Sequence, residues 1–235
     1  MNDKTVRIDS LLSQRGYCAR RKVQDFLCTH HVTADDVVIR ESGERVSPDA
    51  QIFIDGQKIR MAAQPLYIAL NKPEGYLCSM ADPHGRRLAV DLIPESKTQR
   101  IYHVGRLDYD SCGLILFTND GAWAQRLSHP KYEIEKEYEV HVNQPFSKSI
   151  LEAMKEGIFD QNEQLKIERY EIVKNNKCVK ITLKEGKNRE IRRLFGHFGL
   201  KVKTLKRLRI GNIFLGKLGQ GERRILKIEE VEFFR

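Results

Sequence analysis

No stretch of this chain constrains its fold more than residues 104–121, Val-Gly-Arg-Leu-Asp-Tyr-Asp-Ser-Cys-Gly-Leu-Ile-Leu-Phe-Thr-Asn-Asp-Gly. A glycine-framed turn carrying Arg106, Asp108, Asp110 and Ser111 runs directly into the apolar segment Leu114–Thr118, which predicts a buried strand. Asp120 then stands where an N-cap residue would start a helix through Trp123, read as core, and Leu127. Polar side chains at the entry of a rigid strand are well placed for binding or chemistry.

The remaining pattern predicts an α+β chain. In residues 7–28, Ile8, Leu11 and Leu12 form one apolar stripe and Val23, Phe26 and Leu27 another, giving two short helices around Gly16. Arg20, Arg21 and Lys22 fall away from the second stripe and Arg7 opens the first, so the helix pair offers a basic face. Val37–Ile39 and Ile52–Ile54 read as strands, completing an αα-plus-hairpin module over 1–60, with 61–65 as connector. From residue 66 to 235 a second domain is expected. Leu66–Leu70 reads as a buried strand ended by Lys72-Pro-Glu-Gly75, and Val179–Leu183 as another; Tyr138, Val140 and Val142 alternate with polar neighbours as a half-buried strand should. Ser147 can cap a helix stopped by Gly157. A last helix after Asn188 carries Ile191, Leu194, Phe195 and Phe198 on one stripe. Strands outnumber helices without strict alternation, which predicts an antiparallel-rich mixed sheet.

Charge indicates the partner class. Residues 61–235 hold 31 basic and 23 acidic side chains, and six of the ten basic residues in 1–60 lie within 4–22. Such focusing fits a polyanion, set against the blander reading of a solvated surface. The five cysteines are scattered without C-x-x-C spacing, suggesting neither a disulfide framework nor a zinc site, and fitting a cytoplasmic location. No apolar run approaches a bilayer span, so no membrane partner is expected.

For Asp108 and Asp110 three readings stand: turn formers, oxygen ligands for magnesium, or a nucleophile or base needing a nearby cation. Residues 184–209 supply cations, with ten Lys/Arg against Glu185 and Glu190. Lys187, Arg189, Arg192 and Arg193 cluster where Gly186 and Asn188 set a helix start, a natural seat for phosphate. By spacing alone Tyr138 is a core tyrosine. His84, His103 and His129 assemble no triad, and no nucleotide-cofactor loop occurs.

At these residues the chain resembles the RsuA group of bacterial ribosomal RNA pseudouridine synthases, including RluB-like enzymes. The likeness rests on Asn71-Lys-Pro-Glu-Gly75, on Gly105-Arg-Leu-Asp108 continued by Gly113 to Gly121, and on Glu185-Gly-Lys-Asn-Arg-Glu-Ile-Arg-Arg193. Arg7–Leu12 and Ser13–Leu27 resemble an S4 RNA-binding domain, with extra residues around 34–47 where a tight turn is usual. The resemblance implies isomerisation of a uridine in ribosomal RNA by a monomer without a cofactor. It implies Asp108 as nucleophile, Tyr138 against the base, Arg192 as the basic partner of Asp108, and Arg106 near the extruded base. The RNA-contact candidates are Arg7, Arg20, Arg21, Lys22, Lys72, Arg106, Lys187, Arg189 and Arg193.

Overall fold

The computed structural model of the chain describes residues 5–59, 64–174 and 176–235; residues 61–63 of the expected connector lie outside the described residues. The chain divides into two compact units, Met1–Pro65 with Glu95–Ile101, and Leu66–Pro94 with Tyr102–Arg235.

In the first unit the order is β1 (Val6–Arg7), α1 (Ile8–Gln14), α2 (Val23–Thr29), β2 (Val32–Ala34), β3 (Val37–Ile39), β4 (Arg45–Val46), β5 (Ile52–Ile54) and β6 (Gln57–Lys58). Ile8, Leu11 and Leu12 of α1 are buried with Val23, Val32, Ile52 and Ile54 in one core, as an i, i+3, i+4 stripe requires. Arg20–Lys22 form a 3-10 turn before α2 and not part of the helix as expected. Antiparallel pairing gives the order β3-β2-β5-β6. A tight turn does join β2 to β3: Asp35 and Asp36 both adopt left-handed backbone (φ 46° and 65°), the geometry that two-residue hairpin loops favour. The segment Glu95–Ile101, read from sequence as part of the second domain, clusters with this unit. Arg100 Nη1 there donates to the Cys18 carbonyl at 2.7 Å, and Ile101 is buried.

The second unit runs β7 (Tyr67–Lys72), β8 (Tyr102–Val104), β9 (Cys112–Thr118), α3 (Gly121–Ser128), β10 (Lys136–Val142), α4 (Lys148–Glu156), β11 (Ile158–Asp160), β12 (Glu163–Leu165), β13 (Arg169–Lys174), β14 (Cys178–Leu183), α5 (Glu190–His197), β15 (Val202–Ile210), β16 (Ile213–Phe214), β17 (Arg223–Ile225) and α6 (Ile228–Glu232). Its main sheet has the order β13-β14-β10-β15-β9-β7-β17, with β16 on β15 and β8 on β9. Every pairing in that sheet is antiparallel except β9 with β15. This is the expected antiparallel-rich mixed sheet. Asp120 caps α3 by accepting from the Ala122 and Trp123 amides, and Trp123 is buried with Leu127, Val231 and Phe234. Ser147 precedes α4 as expected, but its hydroxyl meets Ser149 Oγ at 2.7 Å and makes no cap hydrogen bond.

The parallel pairing of β9 with β15 positions the site. Cys112 and Gly113 lie beside Lys206 and Arg207. A Cβ on Gly113, whose φ is 101°, would stand 2.3 Å from the Arg207 carbonyl oxygen. Only glycine permits both that backbone and that approach, and the approach brings Arg207 against the strand entry that carries Asp108.

Candidate active site

The loop from Gly105 to Ser111 is fixed from several sides. The Ser111 amide donates to the Asp108 carbonyl at 3.1 Å, and the Gly75 amide to the Tyr109 carbonyl at 2.8 Å. The Leu107 amide donates to Cys78 Sγ at 3.3 Å. Arg192, on α5, adds a clamp: its Nη2 donates to the Asp110 carbonyl at 2.8 Å and lies 3.1 Å from the Asp110 carboxylate. Its Nη1 donates to the Val202 carbonyl at 3.1 Å, tying the loop to β15.

Asp108 is half-buried in the wall of a cavity of about 360 Å³ that Arg106, Lys136, Tyr138, Lys187, Arg189, Glu190 and Arg207 also line. That volume lies in the range of small-molecule pockets. Arg189 Nη1 is 3.6 Å from Asp108 Oδ2, and its Nη2 is 3.5 Å from Asp110 Oδ2, so one guanidinium bridges both aspartates. Arg189 adopts left-handed backbone (φ 48°) just before α5, which turns its side chain away from the helix stripe.

Tyr138 and Arg207 face each other across β10 and β15, just past a register shift between Glu137 and Tyr138. Both are buried. The Arg207 guanidinium carbon lies 6.0 Å from the Tyr138 ring centroid, and Nη1 donates to the Arg106 carbonyl at 3.3 Å and meets the Tyr138 hydroxyl at 3.5 Å. Its Nε donates to the Leu114 carbonyl at 2.7 Å, whereas Nη2 has no hydrogen-bond partner among the described residues. A buried donor of that kind is costly to leave unused and suits an acceptor on a bound molecule.

Burial, and then the neighbouring charge of Arg207, lowers the pKa of Lys136 from 10.5 to about 8. Its Nζ donates to the carbonyls of Ile134 at 3.0 Å and Lys184 at 3.3 Å. Burial also pushes the carboxyl of Glu190 above its usual range. The lowered lysine has a consequence for stability. Because an unfolded lysine holds its proton to about 10.4, between roughly pH 8 and 10 the unfolded chain binds more protons than the folded one, and stability gains with rising pH there. Lys136→Met is expected to flatten the dependence of Tm on pH in that window. An unchanged slope would place the buried proton elsewhere.

The profile of the RNA pseudouridylate synthase family matches residues 66–197. The chain is 34% identical over 233 residues to an uncharacterized RNA pseudouridine synthase of Borreliella burgdorferi, covering 97% of this chain and 92% of the relative. It belongs to the RNA pseudouridine synthase family. Identity is 34% to the ribosomal large subunit pseudouridine synthase B of Bacillus subtilis, over 97% of this chain and 95% of that one. It is 32% to the ribosomal small subunit pseudouridine synthase A of Yersinia pestis, over 96% and 97%. A crystal structure of a pseudouridylate synthase superposes with a TM-score of 0.70 at 26% identity, covering 98% of this chain and all of the other. Its activity is accordingly the isomerisation of uridine to pseudouridine in RNA.

Within this pseudouridine synthase the structure brings Asp108, Tyr138, Arg106, Lys187 and Arg189 to one cavity and corrects other assignments. Arg192 pairs with Asp110 and not with Asp108. The cation nearest Asp108 is Arg189, because Arg189 precedes the helix while Arg192 is drawn down onto the loop backbone. Lys72 is no RNA contact: it is fully buried, and its Nζ donates to the carbonyls of Pro73 at 2.8 Å and Tyr76 at 2.9 Å, closing the Pro73–Gly75 turn. Arg193 is not free for phosphate either, since its guanidinium is spent on Asp160 and Glu163 of the β11–β12 hairpin.

Lys187 is partly engaged, with Nζ 2.7 Å from the Gln164 carbonyl and 2.9 Å from Glu185. Arg7 and Arg20 share the carboxylate of Asp9, at 3.0 and 3.2 Å. Burial raises the Asp9 pKa, but hydrogen bonds from both arginines outweigh it and hold the group below its usual range. Arg21 and Lys22 are exposed, and no carboxylate pairs with either among the described residues. Sequence reading missed Arg207 and Lys136. Arg207 did carry a signal, an arginine two residues from buried Leu205 and so in the apolar phase of its strand.

Proposed function

We propose that this enzyme modifies a specific uridine of ribosomal RNA in the cytoplasm, with Asp108 as nucleophile and no cofactor. The observation that carries the reading is the shared cavity, in which Asp108, bridged by Arg189, opens toward the wall made by Tyr138 and Arg207. The names of the Bacillus and Yersinia relatives support ribosomal RNA as the substrate.

The reaction breaks the bond from N1 of uracil to C1′ and forms one from C5. N1 gains a proton and C5 loses one, so no electrons or energy-rich groups are consumed. Asp108 bonds to the nucleoside as the N1–C1′ bond breaks and the base turns, and that bond is given up as the bond from C5 forms, which regenerates the carboxylate. The Tyr138 ring offers a face for the base to stack on, and Arg207 Nη2 supplies a donor for a base carbonyl. Arg106, exposed at the rim, holds an adjacent phosphate. The target must leave its stack to reach these groups, as bases do wherever enzymes act on them.

The αα-plus-hairpin unit is read as an S4-like RNA-binding module working in a monomer. Its exposed Arg21 and Lys22 are the cations best placed for phosphate. Replacing both by Ala is expected to lower the slope of log affinity against log salt by about 1.5, one counterion-release increment for each phosphate lost. An unchanged slope would remove the pair from the RNA contact. The activity itself is tested by incubating the purified protein with unmodified ribosomal RNA in excess chelator. Conversion of one uridine at full rate is expected; a requirement for added magnesium would restore the metal-ligand reading of Asp108 and Asp110.

A further inference from the structure

On the face of β10 opposite Tyr138, three residues of different donor chemistry converge. His141 stands opposite Cys178 in the antiparallel register of β10 and β14, and Glu139 lies two residues earlier on the same face as His141. His141 Nε2 is 3.2 Å from Glu139 Oε1 and 3.5 Å from Cys178 Sγ. All three donor atoms lie within 4.8 Å of one another, the one such trio of His, Cys and acidic groups among the described residues.

Hydrogen bonding leaves one of these contacts weak, because an Nε2–H that donates to the carboxylate meets the sulfur only as a poor second acceptor. A neutral imidazole nitrogen either donates or accepts, so Nε2 cannot donate to the carboxylate and accept from the thiol at once. A cation between them satisfies all three. Tetrahedral zinc, with nitrogen and oxygen ligands at about 2.0–2.1 Å and sulfur at about 2.3 Å, sets N to S near 3.5 Å and N to O near 3.3 Å. Both separations are already present. Cys178 is buried while the side chains of Glu139 and His141 are 30% and 45% exposed. The sulfur is therefore fixed and the other two donors can adjust from the solvent side. Lys180, opposite Glu139, does not compete strongly for that carboxylate, since its ammonium is 3.5 Å from Glu171.

We propose that Glu139, His141 and Cys178 form a binding site for a zinc-class divalent cation, with a fourth position open to water. A mixed thiolate, imidazole and carboxylate set suits zinc better than magnesium or calcium, which take oxygen ligands. The bound ion would link β10 to β14 on the face of the sheet opposite the Tyr138 side chain.

Cobalt is the probe, titrated into the reduced, metal-free full-length protein. A near-ultraviolet thiolate-to-cobalt charge-transfer band should appear, saturate at one cobalt per chain and bleach on adding zinc. Cys178→Ser should lose the band. His141→Gln and Glu139→Gln, at partly exposed positions that leave the core intact, should each raise the cobalt dissociation constant by ~10-fold or more. Absence of a saturable band at millimolar cobalt, a band that survives in Cys178→Ser, or unchanged affinity in the two Gln variants would overturn the proposal.

Discussion

Asp108→Asn is expected to slow isomerisation by at least roughly 10⁴-fold, the scale of loss when a group that acts covalently is removed. RNA affinity and fold should stay close to wild type. The substitution keeps the size of the side chain, and the loop that presents it is held by backbone contacts from Ser111, Tyr109 and Leu107 that do not involve the carboxylate. Release of tritium from 5-tritiated uridine in RNA reports turnover, and single-turnover conditions with saturating enzyme separate chemistry from binding. Turnover near wild type in the Asn variant would remove Asp108 from the chemistry.

The second large effect separates two adjacent arginines. Arg192→Ala is expected to lower the single-turnover rate by roughly 10²-fold, because a displacement of the reacting group by about 1 Å costs on that order. Its guanidinium holds the Asp110 backbone and side chain and the Val202 carbonyl together, so its loss frees the loop that aims Asp108. It acts as a positioning residue, and KM should move little. Arg193→Ala should behave differently. That side chain ties α5 to Asp160 and Glu163, so a lower Tm with near-normal chemistry in the folded fraction is the expected result. A rate loss in Arg193→Ala equal to that in Arg192→Ala, at a temperature where both are folded, would contradict the clamp.

Much of the scaffold was legible because local rules and tertiary packing agree. Leu114–Thr118 reads as a buried strand and is one; Asp120 stands where a cap is needed and accepts two amides; Ile191, Leu194 and Phe195 form the stripe that α5 buries. The clamp around Asp108 was legible only in composition. A run of basic residues shows that cations are near, but which one reaches Asp108 depends on the left-handed backbone at Arg189, a conformation that nothing in an arginine foretells. Arg207 meets Tyr138 through a bulge in β15, where Leu208 is the extra residue, and through the parallel pairing of β15 with β9. Both are long-range outcomes that periodicity within one segment cannot carry. The Asp35-Asp36 turn was missed for a similar reason: aspartates tolerate positive φ, but they lack the glycine that usually marks such a hairpin. Lys72 was misread because lysines are seldom fully buried, and only the carbonyls of Pro73 and Tyr76 make its burial tolerable.

The proposed placement of pseudouridine in ribosomal RNA by the Asp108 cavity is tested by a nucleotide-resolution pseudouridine map of ribosomal RNA from cells lacking this protein, complemented with either the wild-type chain or Asp108→Asn. The expected result is a uridine that is modified with the wild-type chain and unmodified both in the deletion and with the Asn variant. An identical map in all three strains, or restoration by Asp108→Asn, would contradict it.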